Sequence, residues 1–160
     1  YGGSQEVGLR SGTENVPGII GFGKAVEITF DNFDEKREKM YQLKESLKQR
    51  IFERVDNIII NGQPEGKNAP HILNISFPGV RAEVLLHALE DKGIYVSTGS
   101  ACSSNKPSPS HVLTAMGVNR ECIEGAIRFS VSTLNTMEEI EYCVEQLSVI
   151  VAQLRKYIRR

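Results

Sequence analysis

Cysteine is scarce in this chain and the few copies do not pair off. Cys102, Cys122 and Cys143 are odd in number and lack CxxC spacing. That excludes a disulfide framework and favours a reducing, cytoplasmic compartment. His71, His87 and His111 share no ligand spacing with one another or with the cysteines, which excludes a zinc site. No apolar run approaches the roughly 20 residues that cross a bilayer, and no signal-peptide pattern is present. Charge of neither sign dominates: 19 basic residues face 20 acidic ones, the net charge is -1 and the pI is about 6.4. There is no basic stripe for nucleic acid, no internal repeat and no low-complexity tract. What remains is a 160-residue chain, 40% hydrophobic, with enough apolar content for one core. It opens at Tyr1, inside a glycine-rich stretch rather than at a Met, which predicts a longer parent protein.

Seven of the fourteen glycines fall within residues 1–23. Asn15-Val16-Pro17 predicts a helix start, with Asn15 as N-cap and Pro17 in the first turn, and the helix runs to about Phe30. After Asp31-Asn32 a second helix is expected from Phe33 to Arg54, its apolar stripe formed by Met40, Leu43, Leu47 and Ile51. Ile58–Ile60 and Ile72–Phe77 read as strands stopped by Asn61-Gly62 and Pro78-Gly79, with a polar loop over residues 63–70 between them. Arg81–Lys92 reads as an amphipathic helix with Val84, Leu85, Ala88 and Leu89 inward and Gly93 closing it. Ile94–Val96 is expected as a strand, followed by a loop. A short helix over Ser110–Met116 ends at Gly117, and Asn119 caps another turn. Ala126–Ser132 is a strand. Thr136 and Glu139 form a capping box opening a last helix that carries Ile140, Val144, Leu147, Val151, Leu154 and Ile158. Arg155, Lys156, Arg159 and Arg160 suit the C-terminal end of that helix's dipole. The fold class is α+β: a short, mostly antiparallel sheet covered by helices, preceded by a glycine-rich arm and two helices.

Cys102 stands in Ser97-Thr98-Gly99-Ser100-Ala101-Cys102-Ser103-Ser104, where every neighbour is small or hydroxylic. Such a setting cannot wall off the thiol and points to a reactive cysteine on a solvent-reachable loop; the alternative is a small residue that happens to fall in a Ser/Gly loop. Cys122 and Cys143 lie in helical contexts and read as packing residues. His111, nine residues beyond Cys102, leaves a Cys–His pair conceivable, although no orienting carboxylate or oxyanion element accompanies it. Strand alternation puts Arg128 and Ser130 opposite Ile127, Phe129 and Val131. Arg128 is therefore either part of a solvated face or a guanidinium fork offered to a carboxylate from a rigid strand. Gly12 and Thr13 sit just before a helix N-terminus, a setting suited to anions. Gly18–Lys24 fits GxxxxGK, but Ala25 follows it, no strand precedes it and it lies inside a helix; those glycines are expected to serve close helix packing.

Four of these segments, in order, resemble the C-terminal part of a NifS/IscS-like cysteine desulfurase, in the class V aminotransferase family of fold-type I pyridoxal-phosphate enzymes. Gly2–Asn15 resembles the family's glycine-rich segment ending in GTEN, with Ser4 in place of a glycine. Ala69–Phe77 resembles the strand before the small-domain helix, Ser97–Ser104 the catalytic loop, and Ile127–Ser130 the arginine strand. The long loop from Thr98 to Val112 is similar to that of the IscS-like subgroup. The resemblance implies that residues 1–33 are the tail of a large cofactor domain and residues 34–160 the small C-terminal domain. The family's cofactor-binding lysine, ring-stacking histidine and ring-nitrogen aspartate lie upstream of the matched segments and have no counterpart here.

The resemblance also implies roles. Cys102 would attack the sulfur of L-cysteine, keep it as a persulfide and release L-alanine; pyridoxal 5'-phosphate would be the electron sink. Arg128 would hold the substrate carboxylate, and Thr13 the cofactor phosphate of the other subunit of a homodimer. Cys102 would pass its sulfur to acceptor or scaffold proteins for iron–sulfur cluster or thio-cofactor assembly, and would itself be a transient cluster ligand there. Membrane and nucleic acid are not expected partners, and the fragment alone is expected to be inactive. Two other classes stay open: a class V transaminase or lyase that does not use the thiol, and a non-catalytic domain that only binds partners.

Overall fold

The computed structural model describes residues 2–63, 68–99 and 109–157. These divide into two compact units, residues 2–36 and 37–157, whose sequence boundary falls within the second helix. In the first unit, α1 spans Val16–Phe30 and starts as expected: Asn15 accepts from Gly18 N–H at 3.1 Å, and Pro17 occupies the first turn. None of the fifteen residues of α1 is buried. The expectation that its glycines serve close packing is not met in this unit, since a Cβ on Gly21 or Gly23 would meet nothing within 4 Å. α2 spans Phe33–Arg54 and crosses the unit boundary.

The second unit holds a sheet of β1 (Ile59–Asn61), β2 (Ile72–Ser76), β3 (Ser97–Thr98) and β4 (Ala126–Ser130), all pairs antiparallel, in the order β1-β2-β4-β3. Alternation along β2 and β4 buries Leu73, Ile75, Ile127 and Phe129 on one face. Helices α2, α3 (Ala82–Glu90) and α6 (Met137–Lys156) supply Leu43, Leu47, Ile51, Leu85, Leu89, Val144 and Leu147 to the same core. The opposite face of the sheet carries Asn74, Arg128 and Ser130. Short helices α4 (His111–Ala115) and α5 (Arg120–Glu124) lead from the loop region back to β4.

Local chemistry fixes most element ends. Ser110 and Asn119 cap α4 and α5 through Leu113 N–H at 3.4 Å and Cys122 N–H at 2.8 Å. The Thr136–Glu139 capping box forms on α6. The Asn135 amide and the Thr136 N–H donate to Glu139 and hold its carboxyl below the usual carboxylate range. Gly93 closes α3 at φ +74°: its N–H returns to Glu90 O at 2.8 Å, and that of Ile94 to Leu89 O at 3.0 Å. Pro78-Gly79 makes a type II turn, with Gly79 at φ +79° and Val80 N–H bonded to Phe77 O at 3.0 Å.

Three expectations are corrected. Ile94–Val96 is not a strand; pairing with β4 begins at Ser97, because only there does the chain run alongside β4's edge. Val84 points outward, since α3 buries Ala82, Leu85 and Leu89 and a fourth position between them faces solvent. Arg155 serves more than the helix dipole: it donates to the carbonyls of Asp56 and Asn57 at 2.6 and 2.7 Å, tying the corner after α2 to the end of α6. Ile158, Arg159 and Arg160 lie outside the described residues.

The tightest joint is Gly125, between α5 and β4. A Cβ there would stand 2.4 Å from Phe77 O and 2.9 Å from Val80 O, both backbone atoms of the type II turn. Gly125→Ala must push that turn away or break the Phe77 N–H bond to Gly125 O, at 2.9 Å. A loss of about 1–3 kcal/mol is expected, the scale of overpacking in a closed core. Urea unfolding followed by circular dichroism measures it, with Gly117→Ala in open space as the comparison for a strained φ alone (φ +76°).

Candidate active site

Arg128 sits at the centre of β4, on the face away from the core, as alternation requires. Its cross-strand neighbours are Asn74 of β2 and Ser97 of β3. The guanidinium makes no hydrogen bond or ion pair among the described residues. The side chain is exposed, so both readings fit its place: part of a solvated face, or a two-pronged fork offered to a carboxylate.

Ser97 is also where the chain sets out toward Cys102, five residues further on. Cys102 itself lies outside the described residues, as do residues 100–108 around it. The ends of that stretch are described, and they meet. A Cβ on Gly99 would lie 2.7 Å from Ser110 Cβ, so the two stems touch at a position only glycine fills without displacing its neighbour. Beside them is a cavity of about 430 Å³ lined by Thr98, Gly99, Pro109, Ser110, Arg81 and Arg120, among others.

Thr13 belongs to the first unit. Arg10 organises its surroundings: the guanidinium donates to Gly12 O at 3.1 Å and Thr13 O at 3.2 Å, and pairs with Glu14. Gly12 takes φ +97°, a conformation that favours glycine. The Thr13 hydroxyl makes no hydrogen bond among the described residues and stands just ahead of the N-terminus of α1. That fits the phosphate end of a cofactor. Nothing among the described residues of the same unit fits the rest: Lys24 pairs with Glu27 at 2.8 Å and Lys36 donates to Ile28 O at 2.6 Å. Thr13 and Arg128 thus belong to different units, and Cys102 lies outside the described residues. Among the described residues no group of three or more His, Cys, Asp or Glu could hold a metal.

The other two thiols are packing residues. Cys122 is 3% exposed on α5. Cys143 backs a cavity of about 600 Å³ near Phe129 and Tyr142, and burial pushes its thiol up to about 11. Two residues of this region that sequence reading did not single out are Asn61 and Asn74. Their neighbourhood to Arg128 comes from strand register, which no local signal carries.

The sheet, its helices and this arrangement of glycine-rich arm, cysteine stretch and strand arginine define a class. The model of the class-V aminotransferases matches residues 3–143, and the chain belongs to that family. Its relatives within the family are more specific. It is 41% identical over 157 residues to cysteine desulfurase IscS of Clostridium botulinum strain Hall, covering 98% of this chain and 40% of that protein. It is likewise 41% identical over 155 residues to the IscS of Dictyoglomus turgidum, covering 97% of this chain and 39% of that one. A NifS-like protein of known structure superposes with a TM-score of 0.80 at 38% identity, over 96% of this chain and 38% of the other. The NifS-like protein of Rickettsia africae gives 0.78 at 35%, over 94% and 39%. The chain therefore spans about two fifths of the length of these relatives, matching their C-terminal portion.

The raised pKa of Cys143 fixes its behaviour toward alkylating agents, because only the thiolate reacts. Labelling by iodoacetamide should be negligible at pH 8 and rise about tenfold per pH unit up to the region of pH 11. Peptide mapping by mass spectrometry across pH 7–10 checks this; a rate already level by pH 9 contradicts the buried setting.

Proposed function

We propose that this chain is the C-terminal part of a pyridoxal-phosphate-dependent cysteine desulfurase, and that the longer protein takes sulfur from L-cysteine onto Cys102. The observation that carries the reading is the pairing of Ser97 with Arg128. The strand that leads to the nucleophile lies directly beside the residue that would hold the substrate. Only five residues of chain separate Ser97 from Cys102, a reach of at most about 17 Å.

Arg128 binds the α-carboxylate of L-cysteine through both prongs and so orients the substrate sulfur. The cofactor, when bound, supplies the electron sink that weakens the substrate's Cβ–S bond. Cys102 acts as thiolate and attacks the substrate sulfur. A sulfur–sulfur bond forms as the Cβ–S bond breaks, the bonding pair of the latter stays with carbon, and a proton completes L-alanine. The terminal sulfur of the persulfide then leaves with an acceptor or scaffold protein, where Cys102 is for a time a ligand to a forming iron–sulfur cluster. Thr13 holds the cofactor phosphate across a homodimer interface. The lysine and ring contacts come from the remainder of the protein.

Helix α1 supports the fragment reading. A helix apolar on all sides is ordinarily an interior one, yet Ile19, Phe22 and Phe30 are all more than half exposed here. A large domain over residues 1–33 and upstream would cover them, leaving residues 34–160 as the small domain.

In the longer protein, Cys102→Ser should abolish both alanine release and the mass gain of one sulfur on the Cys102 peptide after incubation with L-cysteine. Retained alanine formation would instead favour a class V lyase that does not use the thiol. Arg128→Lys keeps the charge and loses the fork. It should lower kcat/KM for L-cysteine by about ten- to a hundredfold, the scale of one or two charge-assisted hydrogen bonds, with the thermal melt unchanged. Steady-state alanine formation beside a melt separates substrate binding from a structural role.

A further inference from the structure

Arg10 commits its guanidinium to its own loop. Nη1 donates to the carbonyls of Ser11 at 3.4 Å, Gly12 at 3.1 Å and Thr13 at 3.2 Å, and Nη2 pairs with Glu14. Three consecutive carbonyl oxygens therefore converge on one cationic group. Gly12 lets the chain turn them to one side by taking φ +97°. A Cβ there would have room, with Arg10 Nη1 the nearest atom at 4.0 Å, so it is the backbone conformation that calls for glycine.

In a trans peptide the C=O of one residue and the N–H of the next point in opposite directions. With the oxygens of Ser11, Gly12 and Thr13 drawn to Arg10, the N–H groups of Gly12, Thr13 and Glu14 are turned away from it. None of these N–H groups makes a hydrogen bond among the described residues, and neither does the Thr13 hydroxyl. The loop has sorted its polar groups: acceptors face the guanidinium and donors face outward, just ahead of the N-terminus of α1. The Glu14 carboxylate offsets the charge of Arg10, so the pair shapes the loop without adding net charge.

We infer that Arg10 is a positioning residue for the cofactor phosphate: by holding the Ser11, Gly12 and Thr13 carbonyls it keeps their negative ends off the phosphate and leaves the Thr13 hydroxyl and the neighbouring N–H groups to face it. The inference rests on the reading of Thr13 as the residue that holds the phosphate. Phosphate oxygens accept hydrogen bonds, so an N–H turned toward them attracts and a carbonyl repels. Turning one peptide over exchanges the one for the other. Residues 9–15 are all exposed, so packing does not choose between the two orientations. The hydrogen bonds of Arg10 do. A lysine is a single donor centre and cannot span the carbonyls and Glu14 together as the planar guanidinium does.

The test uses the longer protein, freed of cofactor and titrated to equilibrium with pyridoxal 5'-phosphate and with pyridoxal, which lacks the phosphate; absorbance reads the binding. The ratio of the two affinities isolates the phosphate contacts. Thr13→Val should lower that ratio about tenfold, the scale of one hydrogen bond to a charged group. Arg10→Gln should lower it about ten- to a hundredfold and leave the affinity for pyridoxal unchanged. Arg10→Lys should fall between the unaltered protein and the Gln variant, and takes its place if the Gln variant does not fold. Thr13→Val combined with Arg10→Gln should lose little more than Arg10→Gln alone, because both act on the same contact. Arg10 variants that keep the ratio, whether both affinities hold or both fall alike, overturn the role of Arg10, and a loss in Thr13→Val then leaves the phosphate reading standing. Losses that add in full in the double variant mean that Arg10 meets the phosphate by itself, which also overturns the positioning role. A ratio untouched by Thr13→Val overturns the reading of Thr13 and this inference with it.

Discussion

The pairing of β2 with β4 is the constraint on which the rest of this structure depends. Leu73 opposite Phe129 and Ile75 opposite Ile127 bring four large side chains to the same face, where α2, α3 and α6 close over them. Because side chains alternate, that same register places Asn74 opposite Arg128 on the other face. A slip of one residue would drive a guanidinium into the core and expose Ile127 and Phe129. Burying one such charge unpaired costs several kcal/mol, so core and polar row are specified together. The position of Arg128 is held by hydrophobic burial on the opposite side of the sheet, so the side chain needs no partner among the described residues to stay in place.

Much of this could be read from the sequence wherever the cause is local. Asn15, Ser110, Asn119 and Thr136 each precede a helix and each cap it, because a short polar side chain needs only the next three residues to do so. Gly93 and Gly117 close helices for the same kind of reason, a positive φ after the last turn. The faces of β4 were legible from alternation alone. Where pairing decides, the sequence falls short. Ile94–Val96 is as apolar as any strand here but does not pair, while the polar Ser97–Thr98 does. Propensity describes the side chains, and the ladder is set by where β4's edge runs. Asn61 and Asn74 were hidden for a related reason: thirteen residues separate them, and only register makes them neighbours of each other and of Arg128.

Lys44 shows how a charge can be buried for structure rather than chemistry. It is 3% exposed, and its ammonium donates to Asn68 Oδ1 and, at 2.9 Å, to Ala69 O. Tyr41 adds a bond to Asn68 O at 2.9 Å, and the Lys44 ammonium lies 4.6 Å from the Tyr41 ring centroid. These contacts fasten the segment entering β2 to α2, which in turn fixes where β2 begins. A cation committed to several acceptors is a poor candidate for binding a ligand. Arg128 is the converse, a cation on a rigid strand with nothing among the described residues to neutralise it.

The same contrast separates the thiols. Burial penalises the thiolate, and Cys143 accordingly holds its proton to about pH 11. A thiol in such a place is a poor nucleophile near neutrality, and Cys122, 3% exposed, is closed off from reagents by its packing. Under the proposed function, chemistry at sulfur falls to Cys102, whose sequence neighbours are serines, glycine and alanine that offer no apolar wall. The division of labour follows from what each step demands. In the proposed reaction, orienting a carboxylate needs a group that does not move, which a residue in the middle of the sheet would meet. Passing sulfur to another protein would need a group reachable from outside, the part proposed for Cys102, whose stretch is rooted at Gly99 and Ser110, next to β3. Ser97 is both the strand partner of Arg128 and the root of the stretch that carries Cys102, so the two proposed tasks would share one piece of backbone.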